Sequence, residues 1–203
     1  MDLYYIKDKY QSEIEVSKSK FISYLFPIND INEVSGILLN IKSQHKKARH
    51  FVYSYIFDQN YYFTDNGEPS NTAGKPTFDI LKNLNLNHVL LIIVRYFGGI
   101  KLGASNLLRT YMQSAKKVCE SAIFYKIDYL NYFELEINNQ DFKILQKFII
   151  NNKGIIEKII YNGNVVNLNL KIYKSLDELM YLSSLKIIKQ EIVKNYVEVK
   201  NNG

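Results

Sequence analysis

The sequence predicts an α+β protein of two domains, and three observations carry that prediction. Short β-branched and aromatic runs alternate with amphipathic helical segments through the first half of the chain. The alternation restarts near residue 127, beginning again with a strand. Within this second pattern lies Asn162-Gly163, the residue pair that a tight type I′ hairpin turn asks for. At 203 residues the chain has room for two domains, since single domains commonly hold about 100 to 150 residues.

The elements follow in order. SEIEVSKSKFISYLF alternates polar and apolar residues and then becomes more continuously apolar, as a pair of strands would, ending at Pro27. DINEVSGILLNIKSQ sets Asp30 three residues before Glu33, the spacing of a capping box, and repeats Ile31, Val34, Leu38 and Ile41 at helical intervals. HFVYSYIF reads as a strand, with YYF as its hairpin partner across Asp58 to Asn60. PTFDILKNLNL reads as a short helix, HVLLIIVRYF as a buried strand and ASNLLRTYMQSAKKVCESAIF as a long helix. The first domain, residues 1–126, is therefore a sheet with helices packed on it.

The second domain, residues 127–203, reads as strand YLNYFELEI, helix NQDFKILQKFIINNK, hairpin GIIEKIIYNGNVVNLNLKIY, helix SLDELMYLSSLKII and strand QEIVKNYVEV. That order, βαββαβ, is ferredoxin-like.

Composition narrows the function classes. Hydrophobic residues make up 47% and charged residues 23%, the balance of a globular chain able to bury a core. One cysteine, Cys119, excludes an internal disulfide framework and a zinc site built from several thiolates. No signal-peptide pattern opens the chain, and VLLIIV ends at Arg95, far short of the roughly 20 apolar residues that a bilayer requires. A cytoplasmic protein without a membrane segment is expected. The net charge of +6 suits a polyanionic partner such as RNA. The lysine excess accompanies many Ile, Asn and Tyr residues with AT-rich codons, so local clustering has to carry that argument.

Two glycine-rich stretches hold most of the candidate chemistry. FTDNGEPSNTAGKP, Phe63 to Pro76, uses two of the three prolines and two of the nine glycines. Thr72 is placed to cap a helix that starts through Gly74, Lys75 and Pro76, because the first N–H groups of a helix need an outside acceptor. RYFGGIKLGASNLLRT, Arg95 to Thr110, leads a buried strand through Gly98-Gly99 to Gly103 and into the long helix. Helix starts offer N–H donors and partial positive charge to anions. With Lys75, Arg95, Lys101 and Arg109 close in sequence, the two turns together predict an anion-receptive groove made by Gly74, Lys75, Arg95, Gly98, Gly99, Lys101, Gly103 and Arg109. Arg109 paired to Asp65 or Glu68 is the competing arrangement, and it would neutralise part of that groove.

Gly98 and Gly103 have P-loop spacing, but Ala104-Ser105 stands where Lys-Ser/Thr belongs, and no GxGxxG occurs. A nucleotide cofactor is not expected. A hydrolase or transferase using Asp65, Glu68 and His50 is the alternative from another class, and it requires the three side chains to converge on one water or metal. The sequence has no metal-ligand spacing and no HExxH or GxSxG motif, so no catalytic residue or metal is assigned. The plainer reading gives Asp65 an Asx-type turn with Gly67 and Glu68 a buried hydrogen bond to the neighbouring loop's N–H groups. His45, at a helix end, and His88, before a strand, are expected to make ordinary hydrogen bonds. The KKARH run reads as a solvated helix C-terminus.

These residues carry a resemblance. ARH, D-x-GEP-x-x-TAG-x-P, VRYFGG-x-x-LG and L-x-R-x-Y, in that order from Arg49 to Tyr111, resemble the Impact family in its two-domain bacterial YigZ-like branch. The resemblance implies an N-terminal α+β domain of the ribosomal-protein and RNase PH type, followed by a ferredoxin-like domain similar to one in elongation factor G. It also makes His50, Asp65, Gly67, Glu68 and Thr72 motif residues with structural roles. Asn66 stands where the family usually has a second acid, which weakens a two-carboxylate mechanism. Eukaryotic relatives regulate translation by binding a co-activator of the amino-acid-starvation kinase through an additional domain that this sequence does not show. The resemblance thus implies a translation-associated protein, non-enzymatic rather than catalytic, that binds RNA, the ribosome or a related partner. A monomer is favoured, and an exposed apolar surface on the C-terminal domain is a further way of binding protein.

Overall fold

In the computed structural model, which describes residues 2–199, the most apolar run of the sequence lies at the middle of the first sheet. Five strands, β1 (Tyr10–Val16), β2 (Ser19–Pro27), β3 (His50–Phe57), β4 (Asn60–Thr64) and β5 (Val89–Tyr96), pair in the order β1-β2-β5-β3-β4. Every pairing is antiparallel. β5 is covered on both faces, so it needs no polar alternation. Val89, Leu91 and Ile93 enter one core with α2 (Gly74–Asn83) and α3 (Ala104–Glu120). Leu90, Ile92 and Val94 enter another with Val34 and Ile41 of α1 (Glu33–Gln44).

The hairpin within SEIEVSKSKFISYLF turns at Ser17 and Lys18, both at positive φ. That is the type I′ requirement met without the Asn-Gly signature. At the end of β5, Gly98 packs on this turn. A Cβ on Gly98 would lie 2.0 Å from the Lys18 carbonyl atoms, so no side chain fits.

A second unit spans Ile127–Val197. Its four-stranded sheet, β6 (Phe124–Asn138), β7 (Ile155–Asn162), β8 (Val165–Ile172) and β9 (Lys186–Val199), has the order β7-β8-β6-β9. α4 (Asn139–Asn151) packs Phe142, Leu145 and Ile149 against alternate residues of β6 and β8. The protein is thus α+β with two antiparallel sheets and four α-helices among its described residues.

Predicted features differ in several places: α1 starts at Glu33 with Asn32 as its N-cap and no side-chain cap, so the Asp30–Glu33 capping box is not formed, and α3 ends at Glu120, with Phe124 already in β6. The segment expected as a second helix of this unit, residues 175–188, forms a single 3₁₀ turn at Asp177–Leu179 and further i→i+3 turns before β9 begins. Leu176, Leu179, Leu182 and Leu185 are all buried. The N–H of each later leucine donates to the carbonyl of the one before it. A repeat of three matches the 3₁₀ period, not 3.6, so burying all four leucines selects the tighter winding. The predicted type I′ turn on Asn162-Gly163 also shifts by one residue. Asn162 pairs with Val165, and of the two loop residues only Gly163 has positive φ, which is the II′ pattern. No helix among the described residues is long and apolar enough to cross a membrane.

Candidate functional site

The FTDNGEPSNTAGKP stretch begins where β4 ends. The Glu68 N–H donates to the Asp65 carbonyl, closing a turn with both Asn66 and Gly67 at positive φ. The turn brings the Asp65 carboxylate back over the start of α2. Its Oδ1 accepts from the N–H groups of Ala73 (2.9 Å) and Gly74 (2.8 Å), and its Oδ2 from Asn71 N–H (2.9 Å). Asp65 is therefore the acceptor for α2, in place of the predicted Thr72. The Thr72 hydroxyl donates instead to the Pro69 carbonyl at 2.6 Å and fixes the turn before the helix. A full negative charge at a helix start gains from the macrodipole as well as from the hydrogen bonds. The expected Asx turn with Gly67 is replaced by this longer reach. Gly74 is small because the helix start presses on the end of β4, where an added Cβ would stand 2.5 Å from Thr64 backbone.

Glu68 lies three residues further on, with its side chain 3% exposed. Both its oxygens accept from Arg95 Nη1, at 2.8 and 2.9 Å, and Oε1 also accepts from the Tyr111 hydroxyl at 2.8 Å. The predicted bonds from Glu68 to loop N–H groups are thus replaced by a buried ion pair that joins three elements. Arg95 comes from β5 on the same face as Leu91 and Ile93, and Tyr111 comes from α3. The Arg95 guanidinium lies over the rings of Phe21 (5.4 Å) and Phe97 (5.6 Å). Its Nε is buried without a protein acceptor. Burial first, and then the Glu68 charge, push the Tyr111 hydroxyl far above its usual range, so it remains a neutral donor.

His50 opens β3 opposite Arg95. Its Nδ1 is 3.1 Å from the Asn66 carbonyl, which accepts, so the proton sits on Nδ1. Asn66 Oδ1 accepts the Phe51 N–H at 2.8 Å. Asn66 thereby ties the turn to β3, a role its substitution for an acid did not reveal. His50, Asp65 and Glu68 are thus each engaged with different partners, and no group of three such side chains among the described residues is placed to hold a metal, as the metal form of the hydrolase alternative would require. Burial pushes the Cys119 thiol up to about 12, so it is no nucleophile. His45 lies between two tyrosines, Tyr24 (2.7 Å) and Tyr96 (2.8 Å), and His88 pairs with Asp58 at 2.7 Å.

The second stretch is open where the first is closed. Phe97, Gly99, Ile100, Lys101 and Gly103 are exposed. Gly103 precedes α3 with φ 75° and ψ 158°, and no side chain caps that helix. Arg109 pairs with neither Asp65 nor Glu68. It borders an open hollow of about 650 Å³, together with Ile14, Met112, Gln113, Lys116, Lys117 and Glu120. Lys75 forms an i,i+4 ion pair with Asp79.

Among the residues predicted to bind an anion, Gly74 and Arg95 thus have their polar groups engaged inside the protein. Gly98 donates its N–H to Ser19 Oγ at 3.1 Å and is closed in by the β1–β2 turn. Gly99, Lys101, Gly103 and Arg109 face solvent.

Comparison with known proteins now bears on this arrangement. The Impact N-terminal domain matches residues 17–119, more than half of the chain. The chain belongs to the Impact family. Every residue of the Asp65 cap and of the Glu68, Arg95 and Tyr111 cluster lies inside that Impact match. Among relatives, the Impact family member YvyE of Bacillus subtilis is 37% identical over 115 residues, covering 55% of this chain and 53% of its own. YigZ of Escherichia coli is 31% identical over 102 residues, covering 48% of this chain and 50% of its own. The match thus spans about half the length of each. A crystal structure of a hypothetical protein superposes with a TM-score of 0.61 at 22% identity, covering 94% of this chain and 98% of that one. This likeness speaks for the fold alone.

Proposed function

We propose that this Impact family chain is a non-enzymatic, translation-associated regulator that binds RNA, free or on the ribosome. One observation carries the reading. The charged groups of the motif that would do acid–base work are satisfied inside the fold, and the chemistry left facing solvent is that of a binding surface. Phe97 (49% exposed) and Ile100 (47%) flank the glycines of the loop, Lys101 follows in the same loop, and Arg109, Lys116 and Lys117 lie exposed on α3. Cations position a phosphate backbone, and an exposed ring can stack on a base. The binding region is therefore proposed as Gly99, Lys101, Gly103 and Arg109 with the rest of the exposed α3 face, not the α2 start.

The division of labour proposed with it is a domain over residues 1–126 of the ribosomal-protein and RNase PH type, carrying this surface, and a ferredoxin-like domain over residues 127–203. The strand order β7-β8-β6-β9 supports the second assignment, with one helix contracted to 3₁₀ turns. The site of action is proposed to be the cytoplasm.

The test is fluorescence anisotropy of the full chain with a labelled single-stranded RNA over a range of salt concentrations. Binding is expected to weaken linearly on a log–log scale, and Lys101→Ala with Arg109→Ala to lower the slope by about 0.7 for each phosphate no longer neutralised. Absence of binding at low salt, or a slope unchanged in the double variant, would overturn the reading. Recovering what co-purifies from cells, with and without nuclease, tells RNA-borne association from direct protein contact.

A further inference from the structure

The second sheet ends in a long edge strand. β9 runs for 14 residues at the outside of the sheet, beyond β6, about 45 Å at the usual rise per residue. A terminal strand presents backbone N–H and C=O groups to whatever can pair with them, and proteins normally blunt such edges by shortness, proline, bulges or charge. The other edge strands of the molecule are shorter: seven residues in β1, five in β4 and eight in β7, which carries a register shift between Ile156 and Lys158. β9 contains neither proline nor glycine, and its five charges, Lys186, Lys189, Glu191, Lys194 and Glu198, are of both signs, so they can be matched as well as repelled. It exposes apolar side chains on both faces, with Ile188 at 61% and Ile192 at 72% on one, and Ile187 at 36% and Val197 at 41% on the other.

The sequence of β9 is also complementary to itself. When two copies extend one sheet, the two-fold axis stands perpendicular to it, so opposed residues point to the same side. With the axis at Ile192, the two Ile192 residues meet, Ile188 faces Tyr196, and Ile187 faces Val197. At the ends Lys186 faces Glu198 in both halves, while Gln190 faces Lys194 and Lys189 faces Asn195. No like charges are opposed. Moving the axis to Glu191 or Lys194 places that charge against its own copy, and moving it to Val193 sets Ile188 against Glu198. An axis at Gln190 pairs Ile188 with Ile192, but it opposes Lys186 to Lys194 and shortens the overlap to the stretch before Asn195. Apolar and opposite-charge cross-strand pairs stabilise a ladder, and opposed like charges destabilise it. Lys186 is bonded to Glu136 at 2.7 Å yet 69% exposed, so Glu198 of a second copy would extend an existing ion pair.

We infer that β9 is a homodimerisation edge, joining two copies antiparallel into one continuous eight-stranded sheet centred on Ile192. This departs from the monomer favoured by the sequence and would give the C-terminal unit's exposed apolar surface a definite occupant. It does not depend on the RNA reading.

Sedimentation of the full chain at tens of micromolar is expected to give a dimer. Ile192→Lys, at an exposed position where folding should be unaffected, opposes like charges at the axis and is expected to give a monomer. A wild-type chain that sediments as a monomer, whether β9 then serves a strand of another protein or nothing, overturns the inference. So does a dimer unaffected by Ile192→Lys. Register is read separately by oxidation. Ile192→Cys is expected to cross-link two chains, because directly opposed Cα atoms lie at about 4.5 to 5.5 Å, within disulfide reach. Gln190→Cys is expected not to cross-link, and Cys119 is buried and gives no background. Cross-linking through Gln190→Cys and not through Ile192→Cys would overturn the proposed axis.

Discussion

The starts of α2 and α3 look alike in sequence, each a glycine-containing turn running into a helix, and they are put to opposite uses. At α2 the protein supplies its own anion, with Asp65 accepting the N–H groups of Ala73 and Gly74. At α3 no side chain caps the helix, and Gly103 carries the chain into it through a backbone conformation open to solvent. A helix start therefore does not announce a ligand site. What decides is whether the preceding strand delivers a carboxylate to it. Glu68 makes the same point for the cations, since Arg95 is consumed inside the fold while Lys101 and Arg109 remain outside.

The largest effect is expected where the closed side is held by charge. Glu68→Gln keeps an oxygen for Tyr111 but leaves the Arg95 guanidinium buried without a counter-charge. Breaking one partner of a buried pair costs about 3 to 5 kcal/mol. Chemical denaturation should report a loss of that size, and adding Arg95→Met should recover much of it, because two apolar or neutral groups no longer strand a charge. A loss below about 1 kcal/mol, the range of exposed ion pairs, would mean that water reaches the cluster, and the contrast between closed and open turns would fail.

Gly103→Ala tests the open side with a smaller expected change. There is space for the Cβ, with nothing within 4 Å, so any cost comes from the backbone. The region around φ 75° and ψ 158° is occupied almost entirely by glycine, and forcing another residue there costs about 1 to 3 kcal/mol. At Gly98, which is not at positive φ, the same substitution would cost through a collision with Lys18 backbone instead. If Gly103→Ala is neutral by thermal melting, the loop relaxes freely, and the start of α3 is not held in the form described.

Much of this fold was readable from sequence because burial leaves periodic traces. VLLIIV is apolar without alternation because both faces of β5 are covered, and α3 shows its buried face in Leu107, Tyr111, Ala115 and Val118. The leucines from Leu176 to Leu185 misled because a repeat of three lies close to a helical one. The site was less readable. Glu68 and Tyr111 are 43 residues apart, and no local spacing encodes a contact that depends on where β5 places Arg95. Asp65 caps a helix eight residues downstream through a turn built on two residues at positive φ, beyond the window in which capping signals are read. The reach of Asn66 Oδ1 to Phe51 N–H has a weak signal in hindsight: an asparagine beside a glycine at a strand end tolerates the left-handed turn that brings its side chain back to β3.

The finest test converts one helix start into the other. Asp65→Ala removes the acceptor for three N–H groups, and by analogy with the removal of helix caps the cost is about 1 to 2 kcal/mol. Asp65→Asn keeps an oxygen and gives up the charge, leaving a deficit nearer 0.5 kcal/mol, the size of a helix-dipole interaction. If the carboxylate closes α2 to anions, sulfate should raise the melting temperature of Asp65→Ala by more than that of the wild-type chain, with Asp65→Asn in between. The wild-type response measures every other anion contact on the surface, so the difference belongs to the uncovered N–H groups of Asn71, Ala73 and Gly74. Equal sulfate responses in all three proteins would show that removing Asp65 opens no such site, and α2 and α3 would then differ in geometry but not in their availability to a phosphate.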